Sequence, residues 1–334
     1  MKELLLRSPI GPAVWENSSK DQGETTLSNP RRKQGMRRDW LAEAKEHWLN
    51  DFDWRQKEDY INSFPQFTVP VVDDEGAEIN IHFMALFSEK PDAIPVVFYH
   101  GWPGSFLEFL KIFTILKERY SPKDLPYHVI APSLVGYAYT SGPPVDTNYT
   151  TTRCAATMHK LMCGLGFDSG YLAQGGDLGS FIAKYQAFTY DECKSMHVNM
   201  LTLPSMEGLE DKPVDRIEKI ALARGEEFRS EGFAYAKEHG TRAGTIGLAL
   251  SASPLAMLAW IGEKFLEWTD QDPPLDEILT SVSLYWLTDT YSRCIYPYRS
   301  FNTVGYIDKP CGFSFFPMEL YVHSHPLILP RYVR

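Results

Sequence analysis

Asp177 lies among glycines, in Gly175-Gly176-Asp177-Leu178-Gly179, and is the first candidate for chemistry in this chain. Residues suited to a buried strand, Tyr171 to Gln174, precede it, and a helical pattern follows through Phe188. A strand, a glycine-flanked residue and a helix form a nucleophile elbow, in which a tight turn exposes the central side chain above a sheet. Most elbows carry serine, whereas a carboxylate is already ionised at neutral pH and attacks without a base to form an ester. The alternative is that Asp177 only caps the helix, as aspartate commonly does.

A second segment could take part in a reaction. It is His100-Gly101-Trp102-Pro103-Gly104, and it follows the continuous apolar run Ile94 to Tyr99. Such a run is typical of a parallel strand covered on both faces, so the segment is predicted to be a loop at the end of a sheet. Beside the elbow, the backbone amides of Trp102 and Leu178 would face one oxyanion. Pro103 would fix the turn, and His100 would have a structural role. The alternative is an ordinary turn in which Trp102 only packs.

Composition and charge narrow the class of protein. With 334 residues the chain can form one large domain with an insertion. A formal net charge of -10 argues against nucleic acid or an acidic membrane surface as partner. Five cysteines without CxxC spacing support neither a disulfide framework nor a zinc site, so a reducing, cytoplasmic location is expected. The sequence contains no run of about 18 apolar residues that would span a membrane, and no signal-peptide core.

The order of predicted elements indicates how both segments are positioned. Residues 1–35 predict an exposed irregular loop, helical spacing begins at Arg38, and two strands flank the turn at Asp73 to Gly76. From Ile94 to Leu203 strands and helices alternate, which predicts an α/β fold with a doubly wound, mostly parallel sheet. After Pro204 the helical patterns predict an inserted cap over the carboxyl edge of the sheet, where ligands bind in open α/β folds.

Several long strings occur in order along the chain, among them WLAEAKEHWLNDFDWR, HGWPGSFLEF, PSLVGYAYTS, QGGDLGS and SLYWLTDTYSR. On these strings the chain resembles, from about Lys2 to Leu320, the epoxide hydrolases of the α/β-hydrolase superfamily, in the microsomal-type branch that includes soluble fungal enzymes. The resemblance implies four parts: an N-terminal arm (residues 1–85), an α/β-hydrolase core (86–204), a helical cap (205–300) and a residual C-terminal part of the core (301–334).

The resemblance also implies an activity and the residues that carry it. Asp177 matches a nucleophile that opens an epoxide through an alkyl ester. Tyr235 and Tyr298 match two cap tyrosines that protonate the epoxide oxygen, which is reasonable because a phenol donor meets the developing alkoxide. Tyr296, two residues before Tyr298, is the alternative assignment. No metal or organic cofactor is implied, and the substrate would be an apolar epoxide from xenobiotic or secondary metabolism; a homodimer is left open.

The match to the family stops at Leu320. The family completes its triad with a carboxylate and a histidine in a GGHFAALE-like stretch, which has no counterpart in the final residues YVHSHPLILPRYVR. His323 and His325 are the candidate substitutes, with Asp308 or Glu319 to orient one of them, although a solvated or packing histidine is the preferred interpretation of both. The resemblance therefore implies a C-terminally truncated member, which a truncated gene model would explain.

Other functions stay open at this point. A chain without the water-activating histidine would react once with its substrate, turn over very slowly, form a ring by opening an epoxide with an internal nucleophile, or only bind ligands. Haloalkane dehalogenation also uses an aspartate nucleophile, but it predicts halide-binding donors instead of paired tyrosines. A serine-type esterase is disfavoured because residue 177 is neither serine nor cysteine.

Overall fold

The computed structural model describes residues 1–27, 32–201, 215–301, 304–316 and 318–320. Contacts divide the chain into two compact units. The sheet unit comprises Glu58–Leu201 and the described residues of Arg293–Phe315. The helical unit comprises the described residues of Met1–Lys57, Thr202–Ser292 and Phe316–His325.

A seven-stranded sheet forms the centre of the sheet unit, and it confirms the predicted fold class. Its strands are β1 (Gln66–Val72), β2 (Glu78–Leu86), β3 (Ile94–Tyr99), β4 (Tyr127–Pro132), β5 (Tyr171–Gly175), β6 (Cys193–Val198) and β7 (Cys311–Phe313). They lie in the order β1-β2-β4-β3-β5-β6-β7. The pairs β1–β2 and β2–β4 are antiparallel, and the remaining pairs are parallel. Strand β3 therefore lies directly beside β5, which brings the loops after both strands to one edge.

Helices account for most of the remaining described structure. They are α1 (Lys2–Arg7), α2 (Arg38–Asn50), α3 (Trp54–Asn62), α4 (Leu110–Arg119), α5 (Thr151–Met162), α6 (Leu178–Thr189), α7 (Arg216–Glu227), α8 (Ala234–Thr241), α9 (Ala243–Ser251), α10 (Pro254–Glu267), α11 (Leu275–Leu287) and α12 (Thr290–Cys294). Short 3₁₀ helices span Phe106–Phe109 and Tyr296–Arg299, and π-helical turns follow α5 and α7. The described part of the predicted cap, residues 215–300, contains no strand.

The N-terminal segment and the last part of the alternating region differ from the sequence prediction. Residues 1–35 are not wholly irregular, because α1 forms near the N-terminus and buries Leu5 completely. The last strand of the region Ile94 to Leu203, in which alternating strands and helices were predicted, is β6, and it already ends at Val198. The four-part domain division stays a prediction.

Within the described residues, no single helix is long and apolar enough to cross a membrane. The consecutive helices α9 and α10 pass the length and composition criteria together, but they meet at a bend of 118°.

Candidate active site

Asp177 occupies a strained turn between β5 and α6. Its backbone has φ +46° and ψ -121°, a left-handed conformation that is uncommon for residues other than glycine. A Cβ atom added to Gly179 would overlap the backbone oxygen of Tyr99, so only glycine lets the start of α6 approach β3 this closely. Strain of this kind concentrates at functional sites, where the surrounding structure holds it in place.

The Asp177 side chain points toward the loop after β3 and does not cap α6. No side-chain capping hydrogen bond is made at the start of this helix. Instead, the backbone amide of Trp102 donates a hydrogen bond of 2.8 Å to Oδ1 of Asp177. A Cβ atom on Gly101 would overlap the same carboxylate, so the loop lies directly against it. The two segments singled out in the sequence therefore meet at one sheet edge, and the capping interpretation of Asp177 is wrong.

The other members of the two segments lie around this contact. Leu178 is the first residue of α6, so its backbone amide is among the helix's leading N–H groups. The peptide bond between Trp102 and Pro103 is cis. Whether the Leu178 amide faces an oxyanion stays a prediction.

His100 connects the Trp102 loop to the loop after β4. Its Nε2 accepts a hydrogen bond of 3.1 Å from the backbone amide of Leu134, and its Nδ1 lies 3.2 Å from the backbone oxygen of Gly101. This arrangement requires a neutral imidazole with the proton on Nδ1. Complete burial lowers the pKa of His100 to about 4, which is consistent with that state.

The neutral state of His100 predicts a specific acid sensitivity. Because the folded-state pKa lies below the unfolded value, the folded protein binds fewer protons, and stability falls as pH decreases from about 6.5 to 4. The full shift corresponds to about 3 kcal/mol. His100→Gln keeps one donor and one acceptor but does not titrate, so its free energy of unfolding should fall less over this range. Urea titrations at pH 7 and pH 4.5 measure the difference; equal falls in wild type and His100→Gln would contradict this.

Tyr298 lies beside the loop that follows β3, within the sheet unit. It belongs to the 3₁₀ helix Tyr296–Arg299, is 8% exposed, and its ring contacts that of Trp102 edge to face at 6.0 Å between centroids. Tyr296 is buried elsewhere, against the ring of Tyr149 at 5.2 Å. Of the two candidate proton donors Tyr296 and Tyr298, Tyr298 is the one whose ring contacts Trp102, the residue whose amide bonds to Asp177. Although it was predicted within the cap, its contacts assign it to the sheet unit.

Tyr235 lies near the start of α8 in the helical unit, in an aromatic cluster. Its ring centroid is 5.0 Å from that of Trp268 and 6.1 Å from that of Phe233. The ammonium group of Lys264 lies 5.0 Å from the centre of the Tyr235 ring. The phenol ring is 8% exposed, so it is enclosed by apolar surface and one nearby positive charge.

Glu108 is a polar neighbour of the site that the sequence analysis did not single out. It belongs to the 3₁₀ helix Phe106–Phe109, and its carboxyl group lies over Gly104, where a Cβ atom would overlap it. Burial by the surrounding protein and the nearby charge of Asp177 raise its pKa to about 8. Other parts of the residue remain accessible to solvent. The sequence could have pointed to this residue, because it is the one glutamate in the segment HGWPGSFLEF and lies four residues after Gly104.

The proposed replacements for the family histidine, His323 and His325, lie outside the described residues. Of their candidate orienting acids, Asp308 lies in the sheet unit and Glu319 in the helical unit. Among the described residues, no group of three or more His, Cys, Asp or Glu side chains is arranged to hold a metal ion.

Comparison with known proteins identifies the family. Residues 10–109 match the family model described as "Epoxide hydrolase N terminus", and residues 94–238 match the alpha/beta hydrolase fold. A "Putative epoxide hydrolase" of Dothistroma septosporum is 48% identical over 324 residues, covering 95% of this chain and 75% of the relative. The structure of the Aspergillus niger epoxide hydrolase superimposes with a TM-score of 0.91 at 43% identity, covering 99% of this chain and 83% of that one.

A more distant structure agrees in fold. The juvenile hormone epoxide hydrolase of Bombyx mori superimposes with a TM-score of 0.77 at 24% identity, covering 99% of this chain and 80% of that one. The fungal relatives, the aspartate at the elbow and the loop that contacts it lead to one conclusion. This chain is an enzyme that belongs to the epoxide hydrolases of the α/β-hydrolase fold.

Proposed function

We propose that the protein opens an apolar epoxide to a vicinal diol through a covalent ester on Asp177. The observation that carries this proposal is the Asp177 carboxylate, held at a strained elbow with Oδ1 bonded to the Trp102 amide. A carboxylate needs no base to act as a nucleophile, and an alkyl ester is the product of its attack on a saturated carbon.

The first half-reaction forms the ester. Because Oδ1 accepts the Trp102 amide, Oδ2 is the oxygen that attacks an epoxide carbon, and the bond from that carbon to the ring oxygen breaks. Tyr298 and Tyr235 donate hydrogen bonds to the departing oxygen, and one phenol transfers its proton. The positive charge of Lys264 over the Tyr235 ring favours any phenolate that forms there.

The second half-reaction hydrolyses the ester. Water attacks the carboxyl carbon of Asp177, and the negative charge of the tetrahedral intermediate develops on Oδ1. The Trp102 amide already lies at hydrogen-bond distance from this atom, and the Leu178 amide is the proposed second donor. Collapse of the intermediate breaks the bond to the substrate oxygen and releases the diol. One proton of the water passes to that oxygen, and the other returns to the tyrosine phenolate left by the first half-reaction.

The surroundings of the two tyrosines support an apolar substrate. Rings of Phe228, Phe233 and Trp268 lie within 6.5 Å of the Tyr235 ring centroid, and Trp102 and Phe301 lie within 6.0 Å of that of Tyr298. Aromatic walls favour aryl or alkyl substituents over charged ones. We propose xenobiotic or secondary-metabolite epoxides as the substrate class.

Incubation with styrene oxide tests the proposal. We expect the diol, separated by chiral chromatography, to accumulate above the rate without protein, and we expect no halide release from a phenethyl halide. A covalent adduct without diol would indicate a single-turnover protein, and a cyclised product from an epoxy-alcohol would indicate a cyclase. Neither adduct nor any product would contradict the proposal and favour a binding protein.

A further inference from the structure

One lysine of the helical unit is buried among aromatic rings. Lys264 belongs to α10, is 5% exposed, and its ammonium group lies 5.0 Å from the ring centre of Tyr235. The ring centres of Trp260 and Trp268 lie 5.5 Å and 5.8 Å from the same group. Removing an ammonium group from water is costly, and an apolar side chain of similar volume often fills such a space at no loss of stability. The buried charge therefore points to a role other than packing.

The ammonium group is paired, but its partner lies closer to solvent. Nζ of Lys264 forms an ion pair with a side-chain oxygen of Glu263, whose side chain is 26% exposed against 6% for that of Lys264. The aromatic faces add a cation–π attraction, which is stronger where the cation is removed from water. Water screens the Glu263 carboxylate more than it screens the buried ammonium group. A net positive potential from this pair therefore acts on the Tyr235 ring.

His239 is the ionisable neighbour of Tyr235 on its own helix. It lies one turn along α8, and its ring contacts the Tyr235 ring edge to face at 5.5 Å between centroids. Its Nε2 lies 2.8 Å from the hydroxyl oxygen of Tyr291 in α12. Burial, and then the charge of Lys264, lower the pKa of His239 to about 3, so this imidazole is neutral near pH 7 and contributes no charge to the ring.

Glu267 is a second acid on α10 that acts on Lys264. Burial raises the pKa of Glu267 to about 7, and the charge of Lys264 opposes that rise. Glu263 adds to the rise, Arg224 of α7 opposes it, and Glu227 of the same helix adds to it. Because Glu267 titrates near neutral pH, its contribution to the potential at Tyr235 has to be separated from that of Lys264.

We propose that Lys264 is a positioning residue that makes Tyr235 the phenol which transfers its proton to the epoxide oxygen, an inference that rests on the proposed function. As Oδ2 of Asp177 bonds to the epoxide carbon, the bond from that carbon to the ring oxygen breaks, and the Tyr235 hydroxyl gives its proton to that oxygen. The ammonium group of Lys264 stabilises the resulting phenolate for as long as the ester lasts. A proton of the hydrolytic water then restores the phenol.

The pH dependence of ester formation tests this role, measured by rapid-quench mass spectrometry with styrene oxide between pH 7 and pH 10.5. Lys264→Met keeps an unbranched apolar side chain but removes the charge, so the phenol becomes less acidic. The alkaline midpoint of the rate should rise by about one pH unit, and the rate at pH 7 should fall about fivefold. Lys264→Gln, which is neutral but polar, should give the same two changes. Lys264→Arg keeps the charge and should retain wild-type values of both.

Two further variants separate this effect from other charges. The shift of the midpoint should persist when Lys264→Met is combined with Glu267→Gln, and its loss there would assign the effect to Glu267 and overturn the inference. Lys117→Met is the matched control, because the Lys117 ammonium group also lies over a ring, 4.8 Å from the centre of that of Phe64. Lys117 is exposed, and Phe64 carries no hydroxyl, so rate and midpoint should stay unchanged.

Tyr235→Phe separates an electrostatic role from a packing role. If Lys264 acts through the Tyr235 hydroxyl, adding Lys264→Met to Tyr235→Phe should change the rate of ester formation by less than about twofold. A fivefold loss with and without that hydroxyl, or an unchanged alkaline midpoint in both neutral variants of Lys264, would show that Lys264 only packs and would overturn the inference. Absence of any ester in wild type would instead contradict the proposed function on which the inference rests.

Discussion

Asp177→Asn is expected to lower the rate of diol formation from styrene oxide by about 10⁴-fold or more, as losses of catalytic nucleophiles do in other enzymes. The amide is a poor nucleophile, so ester formation is blocked. Asparagine preserves the size of the side chain, can still accept the Trp102 amide, and tolerates a positive φ better than most residues. The variant should therefore fold normally, which circular dichroism and urea unfolding would verify.

Asp168→Asn is the matched control for this substitution. Asp168 is exposed and lies in the same stretch of chain, before β5. The Asp168→Asn variant loses the same charge as Asp177→Asn, but at an exposed position outside the elbow. Its rate of diol formation should therefore remain at the wild-type level. Diol formation by Asp177→Asn at a rate close to that of wild type would exclude Asp177 as the nucleophile.

Replacing both proposed proton donors, in Tyr235→Phe/Tyr298→Phe, is expected to slow ester formation by about 10³-fold. Without a phenol, the developing alkoxide meets no positioned donor. Each single variant should lose less, about 10-fold, because one donor remains. The rate of appearance of the ester after rapid mixing measures this directly, separately from hydrolysis.

Tyr296→Phe is the control for the tyrosine pair. Tyr296 lies two residues from Tyr298, and its ring packs against Tyr149, away from the Trp102 contact. Loss of its hydroxyl should leave ester formation unchanged. A double variant with wild-type epoxide opening would contradict the assignment, and halide release from an alkyl halide by that variant would point to a dehalogenase.

Much of the sheet could be predicted from the sequence because β3 is a continuous apolar run and β1 and β2 alternate like strands around a turn. The predicted Ile94–Tyr99 strand has the observed bounds, and the antiparallel pair around Asp73 to Gly76 forms as expected. The helix α1 was not predicted because six residues are too few to show helical periodicity. Its formation depends on burial of Leu5, a tertiary effect that local sequence does not encode.

The site was predictable where it depends on topology and not where it depends on side-chain direction. Trp102 and Asp177 follow strands expected in one parallel sheet, so their meeting at one edge follows from the alternation of strands and helices. Glu108 was missed because its relevance depends on a side chain that returns over Gly104. The assignment of Tyr298 to the sheet unit could not be predicted either, because helical patterns do not reveal which neighbours a turn contacts.

The most direct test of the covalent mechanism is peptide mapping of the wild-type protein, quenched in acid soon after mixing with excess styrene oxide. We expect the peptide that contains Asp177 to gain the mass of one styrene oxide molecule, with fragmentation assigning the added mass to that residue. The same peptide from Asp177→Asn should carry no addition. Diol formation with no ester on Asp177 at any quench time, or with the ester on another residue, would contradict the mechanism.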